Sequence, residues 1–124
     1  MGPCSGRYSK EEDILALYFL SRLIYSNVIR EIMRLKVGTN RTEKSIRGRV
    51  DDLKKRMVAM GYDRPYDSIT GLWNLRVVDD CLTKERSPGE VWDLVSFNDS
   101  EAQIIFQMQD VADFIGDNMA LHIE

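Results

Sequence analysis

The sequence is poor in the residues from which catalytic and cross-linked proteins are usually built, with one histidine, two cysteines and three prolines among 124 residues. The lone histidine, His122, stands third from the end, where fraying is expected, so no Cys/His or Ser/His/Asp machinery can be built around it. Cys4 lies in a Gly/Pro/Ser-rich stretch and Cys81 in an apolar one, a spacing that fits neither a disulfide framework nor a metal site. Both read as thiols, with Cys81 part of the core. No glycine-rich phosphate loop occurs. Adjacent carboxylates such as Asp51-Asp52 and Asp79-Asp80 would point about 100° apart on a helix, poor geometry for paired acid and base work. No apolar run approaches the ~18 residues of a membrane span, and the start lacks a charged segment followed by an apolar one. The expectation is a protein that is not an enzyme, with no cofactor, no metal ligands, no small-molecule substrate and no membrane attachment, held in the cytosol or nucleus.

What is present is an ordinary globular composition, 44% hydrophobic and 30% charged, enough for a real core. The net charge of −3 conceals a division. Residues 1–60 carry 13 Lys/Arg against 7 Asp/Glu, and residues 61–124 carry 4 against 13. A basic segment facing nucleic acid and joined to an acidic one has this pattern, and so do two oppositely charged halves that pack together.

Residues 1–6 show no apolar periodicity and read as a flexible tail. Ser9-Lys10-Glu11-Glu12 is a capping box that starts a helix at about Lys10, with Ile14, Leu17, Tyr18 and Ser21 on one face, broadened by Leu15 and Phe19, to about Leu23. A second helix spans about Asn27 to Leu35, with Val28, Ile32 and Leu35 as its stripe. Gly38-Thr39-Asn40 supplies a turn and Thr42 a cap for a third helix, on which Ile46, Val50, Leu53, Met57 and Met60 form one narrow seam up to Gly61. Arg64-Pro65-Tyr66-Asp67 is a loop. Leu72, Trp73, Leu75, Val78 and Leu82 predict a well-buried fourth helix, Ser87-Pro88-Gly89-Glu90 caps a short fifth, and Asn98-Asp99-Ser100-Glu101 opens a long sixth to about Ala120. Trp73 and Trp92 read as core. The last stripe, Ile105, Met108, Ala112, Ile115 and Met119, is either core or partner surface; Ile105, Met108, Ile115 and Met119 are the candidate partner-binding residues.

Three ordered segments carry a family resemblance over residues 7–60. Tyr8-Ser9-Lys10-Glu11-Glu12-Asp13 resembles the opening of Myb and SANT repeats, where an aromatic precedes Ser/Thr-x-Glu-Glu-Asp. Tyr25-Ser26-Asn27-Val28-Ile29-Arg30-Glu31-Ile32 is similar to the second aromatic and its Ile-Ala-x-x-Leu stretch, and Arg41-Thr42 through Val50 to the Arg-Thr opening of the recognition helix. The three usual tryptophans are replaced by Tyr8, Tyr25 and Val50. The resemblance implies a three-helix Myb/SANT-like helix-turn-helix; together with the stripes and caps read in residues 61–124, the expected fold is all-α, with about three further helices of an acidic extension packed on it or forming a dimer interface.

It also implies a function. Lys44, Arg47, Lys54 and Lys55 lie largely off the apolar seam of the third helix, as either a solvated face or a set of phosphate contacts. Gly48 has no side chain to read a base, and Asp51 and Asp52 sit where DNA-reading members often place contacting groups. Arg49 is expected to pair with Glu11, Glu12 or Asp13. The leading expectation is a nuclear DNA- or chromatin-associated binding module of the transcription or chromatin-factor type, its partner DNA or a chromatin protein, with a homodimer or protein partner through the last helices. The alternative is a SANT-type protein-interaction module that binds a basic tail or a complex subunit without touching DNA.

Overall fold

The computed structural model describes residues 7–84 and 86–123, with side chains as far as residue 111. The fold is all-α apart from one minimal hairpin: α1 (Lys10–Ser21), α2 (Ser26–Val37), α3 (Glu43–Ala59), β1 (Tyr66–Asp67), β2 (Leu72–Trp73), α4 (Leu75–Leu82), α5 (Pro88–Val95) and α6 (Asp99–Ile123).

The hub is α1. Its start is fixed by a reciprocal capping box, in which Ser9 Oγ accepts from the Glu12 N–H at 3.1 Å and Glu12 Oε1 accepts from the Ser9 N–H at 3.0 Å. Four consecutive residues, Ile14, Leu15, Ala16 and Leu17, are buried. At about 100° per residue they sweep the whole circumference, so this helix is enclosed on all sides and is not the one-faced helix the stripe predicted. It packs on α2 and α3, and α4 and α5 also pack on it.

The α1–α2 turn is strained and held from a distance. Leu23 adopts φ 67°, a left-handed conformation that a branched side chain disfavours. Gln109 of α6 clamps it, donating through Nε2 to the Leu23 carbonyl and accepting the Tyr25 N–H at Oε1, both at 3.2 Å. Gly38, at φ 72°, ends α2 in the expected left-handed cap. Thr42 Oγ1 then accepts the Ser45 N–H and starts α3.

On α3, Ile46 and Val50 are fully buried, Met57 nearly so, and Leu53 half-buried against the same core. Met60 departs from the expected seam and is 60% exposed. It is the C-cap, past the last turn, and Tyr62 folds back onto the core in its place, its N–H donating to the Met57 carbonyl.

The region after α3 differs most from expectation. Leu72 and Trp73 belong to a hairpin strand, paired antiparallel with Asp67 and Tyr66, and Leu72 is 68% exposed. Gly71, at φ 72°, turns the chain, and α4 begins only at Leu75, where Asn74 Oδ1 accepts the Val77 N–H. On α4 only Val77, Val78 and Leu82 are buried, so it is one-sided. The caps at α5 and α6 are as read: Ser87 Oγ accepts the Glu90 N–H, and Asn98 and Glu101 exchange hydrogen bonds.

Trp92 is 65% exposed, outside the core, because α5 turns Val91 and Val95 inward instead. Trp73 is half-buried against Tyr66, with ring centroids 4.9 Å apart. Ile105 is buried in the chain's own core and Met108 packs against it, because α6 lies on α2. Ile105 therefore faces the chain's own core and is closed to a partner, and Met108 is partly buried against it. Ile115 and Met119 lie outside the described side chains. One apolar cluster runs from Ile14 through Val50, Val78 and Val95 to Ile105, joining both halves of the chain.

Candidate nucleic-acid interface

The outer face of α3 is built on a rigid base. Behind it, Glu12 Oε2 accepts from Arg41 Nε at 2.6 Å and from Thr39 Oγ1 at 3.0 Å, and its Oε1 accepts from Arg41 Nη2 at 3.0 Å. Both partners are almost wholly buried. Burial pushes the Glu12 carboxyl up, but hydrogen bonds from Arg41, the Ser9 N–H and Thr39 outweigh it and hold the group below the usual carboxylate range. The Arg41 guanidinium lies 4.2 Å over the Tyr8 ring, and the Tyr8 hydroxyl is 2.7 Å from Ser45 Oγ on α3. Burial raises the Tyr8 pKa despite that hydrogen bond and the nearby arginine. Arg49 grips Asp13 with two bonds, at 2.8 and 2.9 Å, fastening α3 to α1 as its position suggested. Val50 is fully buried and Tyr8 half-buried, while Tyr25 is exposed at the surface.

Lys44, Gly48, Asp51 and Lys55 follow one line along α3, with Arg47 beside it. Lys44 and Lys55 are exposed. Arg47 is steadied at its base, donating from Nη1 to Ser26 Oγ at 2.8 Å and lying 3.9 Å from Glu43, yet more than half its side chain meets solvent. At Gly48 the surface is open, with nothing within 4 Å of where a Cβ would stand.

Lys54 is set apart from these three. Its ammonium is 2.9 Å from Asp51 and lies over the Tyr66 and Trp73 rings, at 4.5 and 5.5 Å. The hairpin holds it, so it is not poised for a phosphate. By the same pairing Asp51 is partly neutralised. Asp52 stands about 140° round the helix from Arg47 but only about 60–80° from Lys55 and Lys44, on the flank of their line that borders a cleft with Arg7, Tyr8, Arg49 and Arg56. It flanks the line where Asp51 stands on it, so it opposes an anion there less than its neighbour does.

Two carboxylates of the second half pair with the first: Asp79 binds Arg22, the C-cap of α1, with two bonds at 3.0 and 2.8 Å, and Glu101 is 3.8 Å from Lys36 of α2. In the opposite sense, Arg86 of the second half is 2.6 Å from Glu11 of α1. Lys36 Nζ also donates to the Ser96 carbonyl. Among the described residues, no hydrogen bond or ion pair links Lys44 or Arg47 to residues beyond 60.

Sequence reasoning missed the Glu12–Arg41 pair and the Tyr66–Trp73 clamp on Lys54. The signal for the clamp was Thr70-Gly71 between two aromatics, a turn dipeptide flanked by strand formers. Among the described residues no cluster of His, Cys, Asp and Glu is placed to hold a metal ion, and no helix is long and apolar enough to cross a membrane. No family model, no curated protein and no solved structure matches the chain.

Proposed function

We propose that the chain is a DNA- or chromatin-associated binding module that offers the Lys44, Arg47 and Lys55 face of α3 to a polyanion, and that it works in the nucleus without catalysis. The observation that carries this reading is the division of labour among charges. Asp79 and Glu101 of the acidic half pair with Arg22 and Lys36 near the ends of α1 and α2, while Lys44 and Lys55 on α3 stay open to solvent. The Myb/SANT-like assignment of residues 7–60 rests on their own residues: caps at Ser9 and Thr42, three mutually packed helices, and Val50 in the core at the third aromatic position. Lys44 and Arg47 fall in the first half of α3, where a recognition helix meets base edges and phosphates.

A second reading has its own support. Asp51 lies on the same line, and a carboxylate there suits a basic peptide tail better than DNA. Two separate titrations test the two. The full chain is titrated at low salt with a labelled generic duplex and, in a separate series, with a labelled basic tail peptide. Duplex binding that weakens with salt supports the proposal. Peptide binding with no detectable duplex binding replaces it with the protein-interaction reading.

A further inference from the structure

A cavity of about 330 Å³ opens where α1, α3 and α4 meet, on a different side of α3 from the Lys44 line. Its floor is apolar, formed by Ile14 and Leu17 of α1 and by Leu53 and Met57 of α3, with the Tyr62 ring alongside. Among the described residues that line it, four are cationic, Lys10, Arg56, Lys84 and Arg86, against one carboxylate, Asp13. Asp13 is already bound by Arg49 through two hydrogen bonds, and Arg86 is engaged by Glu11. Arg56 and Lys84 are exposed, with no carboxylate partner among the described residues; Lys84 Nζ lies 5.6 Å from the Tyr62 ring centroid. In a chain of net charge −3, this concentration of positive charge at the mouth of an apolar pocket is a local departure from the whole.

We infer that this cavity is a binding site for a small anionic amphiphile, a carboxylate carried on an aliphatic body, with Arg56 and Lys84 receiving the anion and the Ile14, Leu17, Leu53 and Met57 floor receiving the chain. Charge complementarity selects the head and the apolar floor selects the tail. A charged head alone finds only exposed cations, whose attraction is slight in water, and a tail alone leaves the cationic mouth unanswered. The pocket is small and set between helices, which fits a single soluble molecule. This inference stands independently of the proposed nucleic-acid face.

The test uses the full chain and the probes decanoate, 1-decanol and acetate. Cys81 lines the cavity and reports occupancy through its rate of alkylation, with a free small thiol, N-acetylcysteine, in the same solution as the reference. Decanoate should protect Cys81 saturably and leave the reference thiol unaffected, and acetate should protect neither. The double variant Arg56→Glu/Lys84→Glu should weaken decanoate about tenfold or more and leave decanol unchanged. Both side chains are exposed, so the fold should survive. If the double variant melts early, the salt dependence of the wild-type protein gives the same information: decanoate should weaken as salt rises and decanol should not. Equal binding of decanoate and decanol, decanoate binding unchanged by charge reversal, or no saturable protection of Cys81 would each overturn the inference.

Discussion

Replacing Glu12 by alanine should be the most damaging single change on the polar side of this fold. One carboxylate accepts from the Ser9 N–H, from Thr39 Oγ1 and from two nitrogens of Arg41. Its loss would leave the guanidinium, with only 4% of its side chain exposed, without the carboxylate it is fitted to. Breaking a buried pair from one side costs about 3–5 kcal/mol, of which the lost cap accounts for about 1 kcal/mol. With an unfolding entropy of about 2.1 cal/mol/K per residue, a chain of this length loses about 12–20 °C in Tm. Far-ultraviolet circular dichroism melts would measure it. Glu12→Leu combined with Arg41→Met should recover much of the loss, because no lone charge is then buried. The acid limb follows from the same contacts. The folded-state pKa of Glu12 is depressed, so its contribution is fully present above the ordinary glutamate range and is lost as pH falls through the lower folded value. Glu12→Gln should flatten that limb. A melting temperature within about 4 °C of wild type for Glu12→Ala would equate the pair with a surface ion pair of 0–1 kcal/mol and refute the reasoning.

Three further outcomes are expected. Ile46→Ala, at a fully buried site, should cost about 2–5 kcal/mol in urea unfolding, and a loss below about 1 kcal/mol would show that α3 does not seat as described. Trp92→Ala should stay within about 0.5 kcal/mol of wild type and remove the more water-exposed component of the tryptophan emission; a larger loss would place Trp92 in the core after all. Leu23→Gly should be neutral or stabilise by about 1 kcal/mol, because glycine relieves the left-handed strain at an exposed position, and a clear destabilisation would mean that Leu23 contributes packing.

Helix starts were readable because a cap is a local device: Ser9, Thr42, Ser87 and Asn98 each act on an N–H three residues along. The Ile46–Val50–Met57 seam was readable for the same reason, since helical spacing alone puts those residues on one side. Non-local features were not. Leu23 is held in its conformation by Gln109, 86 residues away, and Lys54 is captured by aromatics of a hairpin that the apolar pair Leu72-Trp73 had disguised as helix. Gly71 and Asn74 marked the true boundary, but the apolar run was counted first. Trp92 was misplaced because a large aromatic favours the interior only when a neighbouring element comes to cover it. Within the candidate site, the positions of Lys44, Arg47 and Lys55 and the different directions of Asp51 and Asp52 followed from periodicity, whereas the fate of Lys54 depended on what packs beside α3.

The central claim is that the open α3 face contacts a polyanion. The direct measurement is the salt slope of duplex affinity for the wild-type chain and for the Lys44→Ala/Arg47→Ala variant. Each phosphate neutralised contributes about 0.9 to the slope of log affinity against log salt, so three cations on the face give a slope of about −2 to −3, and removing two should reduce its magnitude by about 1.8. Asp51→Asn should strengthen binding more than Asp52→Asn, because only Asp51 shares the line of Lys44 and Lys55. A measurable wild-type slope that shrinks in the variant, with an unchanged melting temperature, is the result the account predicts. No binding at low salt, or a slope indifferent to both substitutions, would contradict it.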